Sequence, residues 1–154
     1  MMDPLVPESD IRIDTEGVWF YRGAEMTRRE IITLFYQNLR QDDSGCYFIE
    51  IGQQQYPVNV EDTAYVVWSI YWCRDGTGFE ECVYILLSDN TIEKLNPETL
   101  RIGRDNIPYC RIKNQRYEAR FSRASYYKLA ERLQHDPAND SYFISLNERH
   151  YCLE

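Results

Sequence analysis

Two arginines stand where the chain is predicted to begin its two helices, and both are candidates for binding an anion. Arg28 follows Thr27 at the start of one amphipathic stretch, and Arg123 follows Ser122 at the start of another. A cation at the first helical position is unfavourable by about 0.3 kcal/mol or more, because that helix end is positive. Backbone N–H groups, the helix dipole and an arginine can together bind a phosphate or carboxylate. The alternative is a solvated arginine whose stem packs over a tyrosine.

Aromatic side chains precede both predicted helices and can stack on a planar ligand. The alternative for such residues is a place in the core. A further arginine, two residues before Ser122, can add to an anion site. The candidate ligand-binding residues are therefore Arg28, Arg123, Trp19, Tyr21, Tyr109 and Arg120.

No local signature of a catalytic site is present. The two histidines are His135, which follows the second helix, and His150, in a terminal hairpin. The acidic pairs at 42–43, 61–62 and 80–81 fit solvated carboxylates at turns, with a carboxylate metal site as the alternative. We expect no catalytic residue, metal or cofactor, and an enzyme is the third choice of function.

Composition limits the classes of partner. The net charge of −8 repels phosphate backbones, so we expect no nucleic-acid partner. The start of the chain lacks the features of a signal peptide and no long apolar run follows, so we expect a cytoplasmic protein with no membrane partner. The cysteines are odd in number and form no CxxC pair, which is typical of reduced thiols. They are Cys46, Cys73, Cys82, Cys110 and Cys152.

Strand signals dominate the first two thirds of the chain. Residues 11–21 alternate apolar and polar side chains around a turn at 14–17, which predicts a β-hairpin. The runs at 65–73 and 79–88 are long and are predicted to be central strands. Pro57 lacks a backbone N–H, so its strand is predicted to lie at a sheet edge.

The first helix has the clearest local start signal. Thr27, followed three residues later by Glu30, forms the pattern of a capping box. Apolar residues then recur at helical spacing, so one face is predicted to be buried. That face consists of Ile31, Leu34, Phe35 and Leu39.

The last third repeats this order of elements. A hairpin is predicted at 107–121 with its turn near Lys113 and Asn114, then a helix capped by Ser122, then a hairpin at 141–153. The predicted buried face of this helix consists of Tyr126, Leu129, Ala130 and Leu133.

An ungapped offset of 95 residues relates the two regions. It aligns Thr27 with Ser122 and Arg28 with Arg123, and it superposes the Tyr-Phe-Ile of residues 47–49 on residues 142–144. We therefore predict an α+β fold rich in antiparallel sheet, with a duplicated β-β-α-β unit around a strand-rich middle. Two unrelated helices between strands are the alternative.

Three parts of the chain are predicted. Residues 1–9 form a flexible tail, residues 10–100 form an N-terminal half of hairpin, helix and antiparallel sheet, and residues 101–154 form a C-terminal half of hairpin, helix and hairpin packed against it. The boundary depends on residues 96–106, which contain a proline and a glycine and are the best candidate linker.

The segments "IRIDTEGVWFYRGAEMTRREIITLFYQNLRQDDSGCYF", "VEDTAYV", "PYCRI" and "EARFSRASYYKLAERL" resemble, in that order, bacterial proteins catalogued as domain of unknown function 1285. The resemblance implies an α+β fold with an internal duplication, a C-terminal part loosely similar to pleckstrin-homology-like folds, and a cleft between the halves. It implies no established activity. Such proteins are suspected of binding a nucleotide-like ligand in the cleft and of serving in signal transduction.

Individual residues carry the resemblance, and a few positions depart from it. Where the family has Thr-Pro-x-Glu after the first post-helical strand, this chain has Ile51 to Gln54, and Thr-Asn is replaced by Asp89-Asn90. If those positions contact ligand, its identity differs here. The matching residues are Asp14, Gly17, Trp19, Tyr21, Gly23, Arg28, Leu34 and Phe35 in the first motif and Tyr109, Arg120, Arg123 and Tyr127 in the later one.

These observations lead to two hypotheses of different class. The first is a cytoplasmic module that binds a small anionic, nucleotide-like ligand between the halves. The second is a protein-interaction adaptor or homodimer that uses strand edges and exposed aromatic residues without a small ligand.

Overall fold

The computed structural model describes residues 10–74, 76, 78 and 80–153. The tail predicted at residues 1–9 lies outside this part of the chain. The contacts divide the chain into two compact units between Ala64 and Tyr65, so the boundary predicted near residue 100 falls inside the second unit. The predicted α+β fold rich in sheet is confirmed.

The first unit is a six-stranded sheet with one helix. In the sheet the strands follow the order β3-β2-β1-β6-β5-β4, with β1 and β6 parallel and the other pairs antiparallel. The elements are β1 (Ile11–Ile13), β2 (Trp19–Tyr21), β3 (Ala24–Glu25), α1 (Arg29–Gln37), β4 (Leu39–Gln41), β5 (Tyr47–Ile51) and β6 (Gln54–Val60).

The predicted hairpin at residues 11–21 is confirmed, and its turn chemistry explains it. The Asp14 carboxylate accepts hydrogen bonds from the backbone N–H groups of Glu16 and Val18, each at 2.9 Å. Gly17 has a φ of 83°, which glycine adopts without strain. The local sequence therefore determines this turn.

The predicted capping box at Thr27 is wrong. The Met26 N–H bonds the carbonyl of Trp19 at 2.8 Å, so the chain is still extended beyond β3. The helix begins at Arg29, and the N-cap is Arg28, which makes no side-chain capping bond. Sheet pairing moved the helix start past the residue that the local pattern favours.

The predicted buried face of α1 is only partly right: Leu39 is buried but belongs to β4, and Phe35 is half-buried. The side chains packed inward are Ile32 and Tyr36, whose hydroxyl donates to the carbonyl of Ala64 at 2.9 Å. Ile31 and Leu34 are exposed. Apolar residues cover more than half of this helix, so periodicity alone does not select the face that meets the sheet.

The strand with Pro57 is not an edge strand, in contrast to the prediction. β6 lies between β1 and β5. However, its pairing with β1 covers only Val58 to Val60, so β6 has a single partner at Pro57. The missing N–H is tolerated because the strand is locally an edge there.

The second unit has a six-stranded sheet in the order β10-β11-β12-β7-β8-β9 and a three-stranded sheet in the order β13-β14-β15. Strands β7 and β8 are interior strands, as predicted for the long runs. The elements are β7 (Tyr65–Arg74), β8 (Glu81–Leu87), β9 (Ile92–Lys94), β10 (Arg101–Ile102), β11 (Pro108–Ile112), β12 (Tyr117–Phe121), α2 (Arg123–Ala130), β13 (Gln134–Asp136), β14 (Ser141–Leu146) and β15 (Arg149–Leu153).

The second helix starts as predicted. The Ser122 hydroxyl accepts the N–H of Ser125 at 3.2 Å. The hydroxyl of Ser125 in turn donates to the carbonyl of Val67 in β7 at 2.7 Å, and both serines are buried. Of the predicted buried face, Leu129 is fully buried and the other three residues are half-buried.

The predicted duplication is confirmed, and its last hairpin repeats without a shift. Tyr47 pairs with Val58 in the first copy, and Tyr142 pairs with Leu153 in the second. Tyr142 lies 95 positions after Tyr47, and Leu153 lies 95 positions after Val58, so the strand register is the same in both copies.

The helix and the short strand after it are displaced by one residue from that offset. Tyr47 pairs with Gln41, whereas Tyr142 pairs with His135, which lies 94 positions beyond Gln41. The helices likewise begin at Arg29 and Arg123, again 94 apart. The structural counterpart of Arg123 is therefore Arg29, and that of Arg28 is the capping Ser122.

Candidate functional site

The first unit contains an apolar groove beside α1, which we call the α1 groove. It consists of two adjoining cavities of about 460 Å³ and about 310 Å³ that share Tyr21 and Phe35 as lining residues. The larger cavity also contacts Ile11, Ile49, Ile51 and Tyr56. The smaller one also contacts Met26, Thr27, Arg28 and Ile31.

Strand lengths leave this face of the sheet uncovered. β1 has only three residues and pairs with the last three of β6, so the hairpin of β5 and β6 extends beyond it. On that hairpin Ile49 lies opposite Tyr56. Ile51 shares their face because side chains two residues apart on a strand point the same way. These residues form the floor and one wall of the larger cavity.

The opposite wall is supported by a buried tryptophan. Trp19 is 1% exposed, and its ring centroid lies 5.7 Å from that of Phe35 and 4.9 Å from that of Tyr36. Tyr21 lies two residues further along β2 and is 47% exposed. Trp19 thus occupies the core, as the alternative interpretation had it, and it holds Phe35 in place, while Tyr21 offers its ring to the groove.

Exposed apolar side chains cluster around the groove. Among the described residues of the first unit, the large hydrophobic side chains that are exposed are Tyr21, Ile31, Leu34, Ile51 and Tyr56. Four of them line the groove, and Leu34, 46% exposed, lies one helical turn from Ile31 on α1. A contiguous exposed patch of this kind is typical of a binding surface.

Charged groups lie at the rim of the groove. Arg28 is exposed at the N-cap and makes no ion pair or side-chain hydrogen bond with the described residues. Arg22 lies 3.5 Å from the Asp10 carboxylate and 5.2 Å from the centre of the Tyr21 ring. Because Arg22 is already paired with the Asp10 carboxylate, Arg28 is the arginine at the rim that is available to an anionic ligand group.

The other predicted site residues belong to the second unit. Tyr109 is buried and lies directly opposite Arg120 across β11 and β12. The guanidinium of Arg101 stacks 4.3 Å above the centre of the Tyr109 ring. Arg123 is the first residue of α2 and is exposed. The structure thus brings Tyr109 and Arg120 together, and it places Tyr21 and Arg28 on one groove in the first unit.

Sequence reasoning missed the residues that give the groove its apolar character. Phe35 was assigned to the buried face of α1, Ile51 was noted only as a departure from the family pattern, and Tyr56 was not singled out. The available signal was the pair of adjacent apolar residues at 31–32 and again at 35–36, since one member of each pair must leave the core.

Asp42 and the two histidines lie outside the groove and take part in local contacts. Hydrogen bonds from the Ser44 hydroxyl and then from the Cys46 N–H hold the pKa of Asp42 below its ordinary value. His135 lies 2.9 Å from Asp140, and the ring of His150 stacks on Phe143. Within residues 10–74, 76, 78 and 80–153, no three histidine, cysteine or acidic side chains are grouped so as to hold a metal ion.

Comparison with known proteins shows that the first unit is similar to a protein family. Residues 3–63 match the family described as "Domain of unknown function (DUF1285), N-terminal domain". Residues 3–63 are therefore similar to the N-terminal domain of the DUF1285 family. The matched segment, which we call the DUF1285 domain, contains every residue of the α1 groove, and the resemblance to the family, expected from the first motif, is confirmed.

Solved structures extend the comparison beyond this domain. A DUF1285 family protein from Silicibacter pomeroyi DSS-3 matches with a TM-score of 0.74 and 18% identity over 95% of this chain and 80% of its own. One from Shewanella baltica OS155 matches with a TM-score of 0.61 and 19% identity over 80% of this chain and 91% of its own. At these identities the likeness shows the fold. No curated protein matches the chain.

None of the helices in the described residues has the length and apolar character needed to cross a membrane.

Proposed function

We propose that this protein is a ligand-binding module whose DUF1285 domain takes, in the α1 groove, a small molecule with an apolar or planar body and an anionic group. The observation that carries the proposal is the larger cavity itself. Its volume of about 460 Å³ falls in the usual range of small-molecule sites, and its walls are aromatic and aliphatic.

The body of the ligand packs between Tyr21 and Phe35 on one side and Tyr56 on the other. Aromatic walls favour planar rings and aliphatic chains alike, because both remove apolar surface from water. The buried Trp19 prevents Phe35 from collapsing into the core, so the site is formed before the ligand arrives.

The anionic group binds Arg28 at the start of α1. This position is unfavourable for a cation in the free protein, and a bound carboxylate or phosphate removes that penalty while it also meets the positive helix end. A nucleotide is one molecule of this class. Ligand occupancy without catalysis suits signal transduction. The cleft predicted between the halves, with Arg123, Arg120 and Tyr109, remains a prediction that this site does not require.

A thermal-shift screen with matched ligand pairs tests the proposal. Nucleoside monophosphates are compared with their nucleosides, and aromatic and medium-chain carboxylates with their amides. A ligand at one hundred times its dissociation constant stabilises the protein by about 2.7 kcal/mol, which raises the melting temperature by several degrees. The anionic member of a pair is expected to shift the melting temperature more than the neutral one.

Two variants assign that preference to the groove. Arg28→Gln is expected to remove the advantage of the anion, whereas Arg29→Gln, which changes the neighbouring arginine of α1, keeps it. If no compound in the panel raises the melting temperature, or if both variants lose the preference equally, the proposed site is wrong.

A protein-binding adaptor is the second candidate, and the exposed side chains of Ile31 and Leu34 favour it. Residues three apart on a helix lie on one face and can meet a partner helix or a second copy of the chain. Light scattering over a range of concentrations tests the homodimer. A dimer that Leu34→Glu dissociates and Ile92→Glu leaves intact supports this function, and a monomer at all concentrations argues against the homodimer.

A further inference from the structure

Two cysteines of the second unit face each other across neighbouring strands. Cys73 in β7 is directly opposite Cys82 in β8, and their sulfur atoms are 3.0 Å apart. Cys73 is exposed, whereas Cys82 is only 8% exposed. The Cys73 thiol is therefore accessible to solvent, and the Cys82 thiol is buried next to it. None of the residues of the α1 groove takes part.

The backbone spacing suits a covalent link. Residues directly opposite in an antiparallel pair have Cα atoms about 4.5–5.5 Å apart, inside the range of roughly 4.4–6.8 Å that disulfides span. Their Cβ atoms are often slightly further apart than a disulfide prefers, so a link here draws the strands together. A disulfide under such constraint is reduced more readily than an unstrained structural one.

We propose that Cys73 and Cys82 are a reversible redox modification site that closes to an intramolecular disulfide on exposure to hydrogen peroxide. Cys73 is the attacking thiol: its sulfur bonds to one peroxide oxygen, the O–O bond breaks, and water leaves after protonation. The resulting sulfenic acid is attacked by the Cys82 sulfur, which forms the S–S bond and releases the second water. Two thiols and one peroxide thus give one disulfide and two waters.

The other cysteines lack this arrangement and serve as internal comparisons. Cys110 is buried, burial raises the pKa of its thiol, and no second cysteine sulfur lies beside it among the described residues. The hydrogen bond with Cys82 raises the pKa of Cys73 as well, so solvent exposure and the adjacent sulfur distinguish the pair from Cys110. Cys46 and Cys152 are exposed, but neither has a second cysteine sulfur beside it among the described residues. Oxidation at those two positions leads to sulfenic acid or to links between molecules.

Thiol counting in a Cys46→Ser/Cys152→Ser background tests the proposal. This background keeps three thiols, five less two. After peroxide treatment and denaturation, the titre is expected to fall from three to one and to return to three with dithiothreitol. Mass spectrometry is expected to show the peptides of Cys73 and Cys82 joined within a monomer.

Single replacements separate chemistry from folding. Cys73→Ser, at an exposed position, keeps the fold and is expected to abolish the loss of two thiols; Cys82→Ala gives the same result from the other side. The proposal is overturned if the titre does not fall, if it falls by one, if dithiothreitol fails to restore it, or if the link joins two molecules.

Discussion

Replacing Arg28 by serine is expected to stabilise the protein while it weakens ligand binding. Arg28 is the N-cap of α1, with φ −82° and ψ 107°, and it makes no side-chain capping bond. This is the backbone conformation that a capping serine requires, and Ser122 already shows such a cap in α2. The serine hydroxyl can therefore accept an unsatisfied N–H of the first turn.

The expected gain has two parts. A side-chain cap contributes about 1 kcal/mol, and removal of a cation from the positive helix end contributes about 0.3–1 kcal/mol. Their sum, about 1.5 kcal/mol, corresponds to a rise of about 3–6 °C in melting temperature for a chain of this size. Arg28→Ala removes the cation without adding a cap, so its gain is expected to be smaller, about 1–3 °C.

Calorimetry and urea unfolding of the parent and both variants measure these gains. The expected order of stability is Arg28→Ser, then Arg28→Ala, then the parent, and both variants lose the preference for anionic ligands. Equal stability of the two variants would refute the capping argument. If the parent were more stable than both variants, Arg28 would have to make stabilising contacts in the unliganded protein, which would contradict its assignment as an unpaired rim residue.

Three further predictions concern the rest of the fold. Ser125→Ala is expected to lower the free energy of unfolding by about 0.5–1.5 kcal/mol, because the carbonyl of Val67 loses one of its two donors and keeps only the N–H of Ser122. Ser145→Ala, which removes a hydroxyl that bonds no described residue, costs less in the same urea titration. Gly103→Ala places a Cβ 2.6 Å from the Tyr109 ring and is expected to lower the free energy of unfolding by about 1–3 kcal/mol. Gly76→Ala, where nothing lies within 4 Å of the added Cβ, is expected to lower it little. Similar losses of stability in the two variants would contradict the packing around Tyr109. The pKa of Asp42 in the folded state is lowered from 3.8, so the stability that this carboxylate contributes is present above the pKa of the unfolded chain and is lost as the pH falls through the folded-state pKa. The Asp42→Asn variant is therefore expected to be less stable than the parent near neutral pH and equal to it in acid. A difference in stability that persists in acid would contradict this assignment.

Local chemistry made part of the fold predictable from the sequence. The first hairpin follows from the side chain of Asp14 and the positive φ of Gly17. The start of α2 follows from the hydroxyl of Ser122. In each case the interactions that fix the backbone lie within a few residues, so the sequence pattern contains them.

The parts that failed depend on contacts distant in sequence. Thr27 lost the N-cap because Met26 remains paired with Trp19 in β2, and the buried face of α1 was set by where the sheet meets Ile32 and Tyr36. The ungapped repeat failed to show that the helices correspond at an offset of 94, because the loop between the paired strands is one residue longer in the second copy.

The candidate site could be predicted in its polar part and not in its apolar part. Arg28 and Tyr21 were identified from their type and position, and the structure places both at the α1 groove. The cavity itself depends on the shortness of β1 against the hairpin of β5 and β6, which is a property of the sheet and not of any local motif.

The most direct test of the α1 groove is a spectrum of the isoleucine methyl groups during titration with the matched ligand panel. Ile31 and Ile51 line the groove, whereas Ile92 is exposed on β9 of the second unit. We predict that a binding ligand shifts the methyl resonances of Ile31 and Ile51 and leaves that of Ile92 unchanged. Binding that shifts Ile92 and neither groove residue would contradict the account.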